Sequence, residues 1–503
     1  MPYAITQLCC TDASCVTACP VNCIHPTPDE PDFGTTDMLY VDPRTCIDCG
    51  ACAEVCPVDA VHPVESLTGA LADYPAINAD YFAGTEPAGP PEGSPLFHDW
   101  GPVRFDRVLP ADFPELDVAV VGSGPAGMYT VQDLLLHTTA RVTLYDRLPV
   151  AGGLVRFGVA PDHPDTKRIG ESFARYHDHH RLRLRLGTDV GSDVGVDELA
   201  RRHDAVVYAV GAPTSKTLGV PGEELAGNLP STTVVGWYNG HPEIGAGAVP
   251  VDGAGAEQVA VVGTGNVALD VARVLTADPA RLADSAIAPA ALERLRSSRV
   301  REVVLLGRRG PEHAAYTRGE LLALRHRDDL EVVVDDHDPR VGEAIDAAAP
   351  GDHAALLQGL RRVRSEDVPP TGGRRRIVLR FHAPTEALLG DEHVAGIRVG
   401  GPDGPTELRA GLVVRAVGHR GRPLAGLPFD EETGTVPHHA GRVDGRTGTY
   451  VVGWIKRGPG GGIGMNRRDA AETVASLIED GRSGLIGVRP RRGLLRRRAT
   501  RPV

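Results

Sequence analysis

Beyond residue 56 the chain contains no cysteine. All nine, Cys9, Cys10, Cys15, Cys19, Cys23, Cys46, Cys49, Cys52 and Cys56, precede residue 57 of a 503-residue sequence. No disulfide can staple the rest, and a thioredoxin-reductase type of chemistry, which needs a C-x-x-C pair beside its cofactor, is excluded. Cations are almost missing from the same front segment: residues 1–66 carry ten Asp/Glu against Arg44 alone, so most of the net charge of −13 lies there. Aromatics are scarce at 5%. No run approaches the roughly 18 apolar residues that span a bilayer, so no membrane insertion is expected. The opening "MPYAITQLCC" has neither a basic n-region nor an apolar h-region. A reducing, cytoplasmic setting follows, with thiolates bound to metal and not to each other.

What is abundant is glycine, 60 residues, as the tight backbone approaches of nucleotide-binding turns require. The length exceeds one core and predicts two to four domains. At Asp117 "DVAVVGSGPAGMYTVQDLLL" reads as an apolar strand, a glycine turn and a helix, and "QVAVVGTGNVALDVARVL" repeats the unit from Gln258. Two such units predict two Rossmann-like, doubly wound α/β domains. Late strands in "GLVVRAVGHR" and "TYVVGWIKRGPGGGIGMNRRDAAETVASLIE" supply the C-terminal return that an inserted second domain requires. The expected divisions are 1–66, a cysteine domain; 67–114, a Pro/Gly-rich linker; 115–214 and 416–480, two parts of one nucleotide domain; 215–415, the second; and 481–503, a basic tail. The seven arginines of the last fifteen residues read as a solvated end, with no nucleic-acid partner expected.

"RTCIDCGACAEVCPVDA" (44–60) has the spacing C-x2-C-x2-C-x3-C-P. In this run three cysteines wrap one iron–sulfur cubane and the fourth reaches across to another. Cys46, Cys49 and Cys52 form the triplet and Cys56 the remote ligand, which demands a partner half. "CCTDASCVTACPVNC" supplies it, with Cys19-Pro20 matching Cys56-Pro57, yet one cubane corner is missing. The two halves resemble the seven-iron bacterial ferredoxins. That resemblance implies a [4Fe-4S] cluster on Cys19, Cys46, Cys49 and Cys52. It implies a [3Fe-4S] cluster on Cys15, Cys56 and one of the adjacent Cys9 and Cys10, with Cys9 as the working ligand. An alternative with two [4Fe-4S] clusters uses both Cys9 and Cys10 or recruits Cys23; a zinc domain of four thiolates is the other competitor.

In "GSGPAG", Gly122, Gly124 and Gly127 match G-x-G-x-x-G: one turns the chain, one admits a pyrophosphate, one lets helix pack on strand. Asp146 ends the next strand, where a carboxylate takes ribose hydroxyls. In "GTGNVA", Gly263 and Gly265 keep the turn, followed by Asn266 and Val267, but Ala268 replaces the third glycine. After the following strand the chain places Arg308 and Arg309 where an NAD site would place an acid. Two guanidiniums suit a 2′-phosphate. An exposed arginine pair without ligand is the bland alternative.

"RLPVAGGLVRFGVAPDHPDTKRI" makes the resemblance specific. From about Asp117 to about residue 480 the chain resembles the adrenodoxin-reductase-like branch of ferredoxin–NADP(+) reductases. As a whole it resembles the actinobacterial fusion of a ferredoxin to such a reductase: an α+β ferredoxin domain, then α/β FAD and NADP domains, the NADP domain inserted in the FAD domain. The resemblance implies FAD over Gly122, Ala126, Asp146, Leu154 and Val190, covered by Trp454 and Gly461, Gly462 and Ile463. It places His163 near the flavin ring, Asn266 and Glu320 on the NADP side and Asp270 near the substrate face. The activity implied is transfer of a hydride from NADPH to FAD, then of single electrons to the fused clusters or to an external ferredoxin or ferredoxin-dependent enzyme, such as a cytochrome P450 system. His163, Glu320 and Asp270 would tune protonation or orientation. The competing readings are an amidotransferase-linked flavin/iron–sulfur subunit and a non-enzymatic redox module with structural nucleotides. The acidic front is expected to dock on Lys456, Arg457, Arg467 and Arg468.

Overall fold

The structure is a computed structural model that describes residues 2–85, 109–110, 113–253, 255–349, 352–364 and 373–488. The basic tail beyond residue 488 and most of the expected linker lie outside the described residues.

The front segment folds as a small two-fold unit. Strand Tyr3–Ile5 pairs antiparallel with Val61–Pro63, and Ile24–His25 pairs with Tyr40–Val41. Two short helices, Ser14–Ala18 and Ala51–Glu54, carry Cys15 and Cys52. Each is entered through a left-handed residue, Ala13 (φ 62°) and Gly50 (φ 74°), which turns the chain sharply around the cysteines. Composition predicts a linker from residue 67, but the chain instead continues as helix Tyr74–Tyr81, packed on the front strands. One side chain explains this. Asn78, 2% exposed, accepts from the amides of Ile5 and Val41 and donates to the carbonyls of Ile5 and Tyr74, satisfying two strands that lack further neighbours.

Two seven-stranded sheets form the rest. The first runs His438–His439, Arg442–Val443, Thr449–Val451, Ala205–Tyr208, Asp117–Val121, Arg141–Asp146, Leu182–Leu186, parallel from Thr449 onward in that order. The second runs Asn228–Pro230, Leu412–Arg415, Gln258–Val262, Glu302–Leu306, Arg375–Arg380, Leu330–Asp335, Arg361–Val363, parallel throughout. Parallel strands covered on both faces read as continuous apolar runs, and Glu302–Leu306 is buried at every position. Its Glu302 is neutralised by Arg376 on the adjacent strand, and Arg380 reaches Asp335 at 2.8 Å, all four nearly solvent-free. Removing one partner of such a pair costs about 3–5 kcal/mol. Helix Pro125–His137 packs along Ile463–Arg482, so the last helix returns to the first sheet. No helix among the described residues is long and apolar enough to cross a membrane.

Candidate functional site

In each sheet the strand order reverses beside the strand that precedes a glycine turn, and crevices at the carboxyl ends of such strands bind ligands. The two turns are built alike. A Cβ on Gly122 (φ 106°) would fall 2.4 Å from the Ala209 carbonyl oxygen, and one on Gly263 (φ 129°) 2.4 Å from that of Ala416. Gly127 is equally obligatory, its missing Cβ lying 1.8 Å from the Gly122 oxygen, whereas Ala268 fits its methyl into the core at the matching place. Gly124 and Gly265 stand as N-caps of the helices Pro125–His137 and Asn266–Thr276, whose free amides face the crevices.

At the first turn Asp146 accepts from the Ser123 amide at 2.8 Å, from the Ser123 hydroxyl and from the Leu148 amide at 2.9 Å. Ser123, which sequence reasoning missed, thereby holds the carboxylate at the strand end. The "AGGL" segment closes against the turn: a Cβ on Gly153 would lie 2.6 Å from the Gly124 Cα. Gly453 likewise abuts Ala126, which brings Trp454 and the Gly461–Gly462–Ile463 stretch to the same crevice. Trp454 stacks on His419 at 6.3 Å between ring centroids. Val190 is buried in the core beneath. Leu154 and Val267, one at each crevice, are 46% and 40% exposed. Apolar side chains left bare beside both glycine turns are what a bound nucleotide would cover.

At the second turn Arg308 and Arg309 follow strand Glu302–Leu306, both exposed. No ion pair with a carboxylate is seen for either guanidinium among the described residues, so both remain available to an anion. The Asn266 side chain is spent on the protein, accepting from the Thr317 amide at 2.8 Å and donating to the Thr317 hydroxyl. It thereby fixes the start of helix Arg318–Arg325, which carries Glu320.

Between the sheets His163, Asp270 and Glu320 converge, their ligating atoms within 4.8 Å of one another and His163 Nε2 at 3.9 Å from Glu320 Oε2. The resemblance named these three residues, the outer two, His163 and Glu320, lying more than 150 positions apart in the sequence, and the fold joins them. It missed their support. Arg273, 6% exposed, bridges Asp270 to Asp162, so Asp270 already has a cation of its own. Only the i,i+3 spacing of Asp270 and Arg273 was a legible signal. Burial, and next the Glu320 carboxylate, push the Asp270 carboxyl well up, while burial pulls Arg273 down to about 10.

The cysteines divide into two groups. Cys9, Cys15 and Cys56 are mutual electrostatic neighbours around Asp12, while Cys19, Cys46, Cys49 and Cys52 form the other set. Cys9 Sγ accepts from the Thr11 and Leu39 amides at 3.4 and 3.5 Å, and Cys56 Sγ from Ala60 at 3.2 Å, contacts that favour sulfur bearing negative charge. Cys10 interacts with Asp12, Cys9 and Cys56 as well, and also neighbours Tyr129 of the reductase body. Burial pushes the Cys9 and Cys52 thiols up to about 12 and Cys10 and Cys15 well up, so thiolates here need bound cations. Cys23 lies 3.4 Å from Cys19 Sγ, and its hydrogen bonds draw Cys19 and Cys46 down to about 6. Among the described residues no three cysteine sulfurs lie within 4.8 Å of one another.

The cysteine domain sits directly on the crevices. The Gly464 amide donates to the Cys10 carbonyl at 2.7 Å, and Arg467 reaches the Asp12 carbonyl and Ser14 hydroxyl. Asp37 accepts from the Arg318 amide at 3.0 Å, capping the Glu320 helix, and Gly319 lies under Gln7 and Tyr74. Of the four cations expected at this docking face, Arg467 serves there. Lys456 is buried between Asp469 and Glu472 of helix Ile463–Arg482, and Arg457 binds Asn466 of that helix and the Gly460 carbonyl, so both are taken up within the reductase.

The comparisons with known proteins match both halves. Residues 8–60 match the 4Fe-4S dicluster domain and residues 116–305 the pyridine nucleotide-disulphide oxidoreductase family. The chain is 45% identical over 499 residues to a probable ferredoxin/ferredoxin–NADP reductase of Mycobacterium tuberculosis, covering 97% of this chain and 85% of the relative. Against the protein of the same description from Mycobacterium leprae the identity is 43%, over 97% and 87% of the two chains. The solved structure of Mycobacterium tuberculosis FprA in complex with NADPH superposes with a TM-score of 0.67 at 40% identity, over 75% of this chain and 87% of that one. With a dicluster domain seated on an α/β reductase and relatives matched along nearly its whole length, the chain belongs to the ferredoxin/ferredoxin–NADP reductase family.

Proposed function

We propose that the chain oxidises NADPH and delivers its two electrons one at a time to iron–sulfur centres, as a ferredoxin–NADP(+) reductase with its own ferredoxin attached. The observation that carries this reading is the seating of the Cys10–Ser14 segment on Gly464 and Arg467, at the mouth of the first glycine-turn crevice. FAD, when bound, supplies the conversion of a hydride into single electrons that clusters can accept.

The first sheet would hold FAD through Gly122, Gly124, Ala126, Gly127, Asp146, Leu154 and Val190, with Trp454 and Gly461–Ile463 across it. The second would hold NADPH through Gly263, Gly265 and Val267, with Arg308 and Arg309 on the 2′-phosphate. Asn266 acts by positioning the Glu320 helix. The sheet topology supports an NADP domain inserted in the FAD domain, since strands of 228–415 lie between Ala205–Tyr208 and its partner Thr449–Val451. Oxidising NADPH while two one-electron acceptors are reduced releases one proton, and the His163–Glu320–Asp270 group is placed to hold it. The cluster set follows the two thiol groups: four ligands, Cys19, Cys46, Cys49 and Cys52, for [4Fe-4S], and three, Cys9, Cys15 and Cys56, for [3Fe-4S]. Thiolate–iron bonding of this kind implies the reducing cytoplasm.

Anaerobic NADPH is expected to bleach the flavin band of the loaded protein within one turnover. A flavin that stays oxidised under excess NADPH overturns the reading.

A further inference from the structure

The helix Arg318–Arg325, which carries Glu320, is held from two sides. On the reductase side Asn266, at the second glycine turn, binds the amide and hydroxyl of its N-cap Thr317, and the helix packs on Asn266–Thr276. On the other side the ferredoxin domain meets it from end to end. Asp37 accepts from the Arg318 amide at 3.0 Å, where an acid also suits the helix dipole. The turn Gly69–Leu71 lies against the helix, and Asp73 meets its C-cap His326 at 3.1 Å. An eight-residue helix is marginal alone and takes its position from what packs on it.

The tightest contact is one residue before Glu320. A Cβ on Gly319 would fall 2.5 Å from the Gln7 Cβ and 2.8 Å from the Tyr74 hydroxyl, so the two chains meet there without room for a methyl. Tyr74 is 1% exposed. Burial, and next the Glu320 carboxylate, push its phenol up, as expected of a hydroxyl beside that charge. Glu320 in turn stands 3.9 Å from His163 Nε2.

We propose that Asp37, Asp73 and Tyr74 are positioning residues for the hydride step: through this helix the ferredoxin domain sets where Glu320 stands beside His163. The domain that receives the electrons thereby shapes the site at which NADPH gives them up. By linkage the effect runs both ways, and a nucleotide bound on the Glu320 side tightens the ferredoxin domain on the helix. The grip is on a different element from the Gly464 seat, so a change that shifts only Cys10–Thr11 leaves it in place. This inference rests on the reductase reading above.

The test uses the loaded full-length protein and the variant Asp37→Ala/Asp73→Ala, which releases both ends of the helix. In anaerobic stopped-flow mixing with saturating NADPH, the limiting rate of flavin bleaching should fall about fivefold or more, with iron content and cluster EPR signals unchanged. In a Glu320→Gln background the same two substitutions should alter that rate less than about twofold, because the residue they position is already replaced. Tyr74→Phe, which keeps the buried ring, should give a smaller loss in the same direction should the double variant load poorly. A second readout needs no turnover: NADP(+) added to the wild type should slow hydrogen exchange of the amides of residues 69–81 about threefold or more, and leave it unchanged in Asp37→Ala/Asp73→Ala. Equal losses of rate in both backgrounds, no loss in either, or exchange in 69–81 that ignores NADP(+) overturn the positioning role. A wild-type flavin that NADPH leaves oxidised marks instead the failure of the reductase reading itself.

Discussion

Gly464 is where the two halves of the chain touch most closely, and an added methyl there tests whether the contact carries electrons. A Cβ on Gly464 would fall 2.1 Å from the Thr11 carbonyl oxygen, 2.2 Å from its carbon and 2.5 Å from the Cys10 oxygen. All three are backbone atoms, so no rotamer change relieves the clash, and the Cys10–Thr11 segment must move outward by about 1 Å to reach ordinary contact. Overpacking of this kind costs about 1–3 kcal/mol. The Gly464 amide bond to Cys10 is lost with the movement, about another 1 kcal/mol. Together these amount to about 2–4 kcal/mol of docking energy, or about 30- to 900-fold in the ratio of docked to undocked domain. In anaerobic stopped-flow mixing of Gly464→Ala with NADPH, flavin bleaching should keep its rate, because neither glycine turn is touched. The later bleaching of the clusters should slow at least tenfold. Fully loaded clusters, verified by iron content and EPR, that are reduced at the unaltered rate would refute the reasoning.

Arg308→Ala/Arg309→Ala should raise the Kd for NADPH by about 30-fold or more, from two charge-assisted hydrogen bonds worth about 1.5–3 kcal/mol each, and leave NADH within about threefold; equal losses for both nucleotides would remove the 2′-phosphate assignment. Cys9→Ser should lower the iron content and erase one EPR signal, whereas Cys10→Ser should retain both, because Cys9 Sγ receives two amide hydrogen bonds, from Thr11 and Leu39, against one for Cys10, from Asp12; the reverse pattern would exchange their roles. Burial, and next Arg156, pull Lys167 down to about 8, while its Nζ donates to the Arg156 carbonyl and Asn239. A folded pKa below the unfolded one means that the unfolded chain binds more protons between pH 8 and about 10.4, so Lys167 should make stability rise with pH in that window, by at most about 1.4 kcal/mol per unit. Urea midpoints of the wild type and Lys167→Gln should converge as pH climbs from 8 to 10; a constant gap would contradict this.

The cassette spacing, the two glycine turns with their flanking strands and the arginine pair are local patterns. Each depends on a few neighbouring residues, because a thiolate spacing or a turn that needs positive φ is written within a dozen positions. They were enough to indicate two clusters, two nucleotide crevices and a preference for a 2′-phosphate. The tertiary structure decided everything that depends on distant partners. Asn78 drew a Pro-flanked stretch that reads as linker into the ferredoxin domain, through hydrogen bonds to strands more than 35 residues away. Lys456 and Arg457, basic in the sequence and so expected at the docking face, were taken up by Asp469 and Asn466, a choice set by which carboxylates and amides the fold brings near. The pairing of Asp270 with Arg273 and Asp162 was decided the same way. Spacing along the chain fixes what a segment can bind, but only packing fixes which of its groups are already satisfied by the protein and which remain for a ligand.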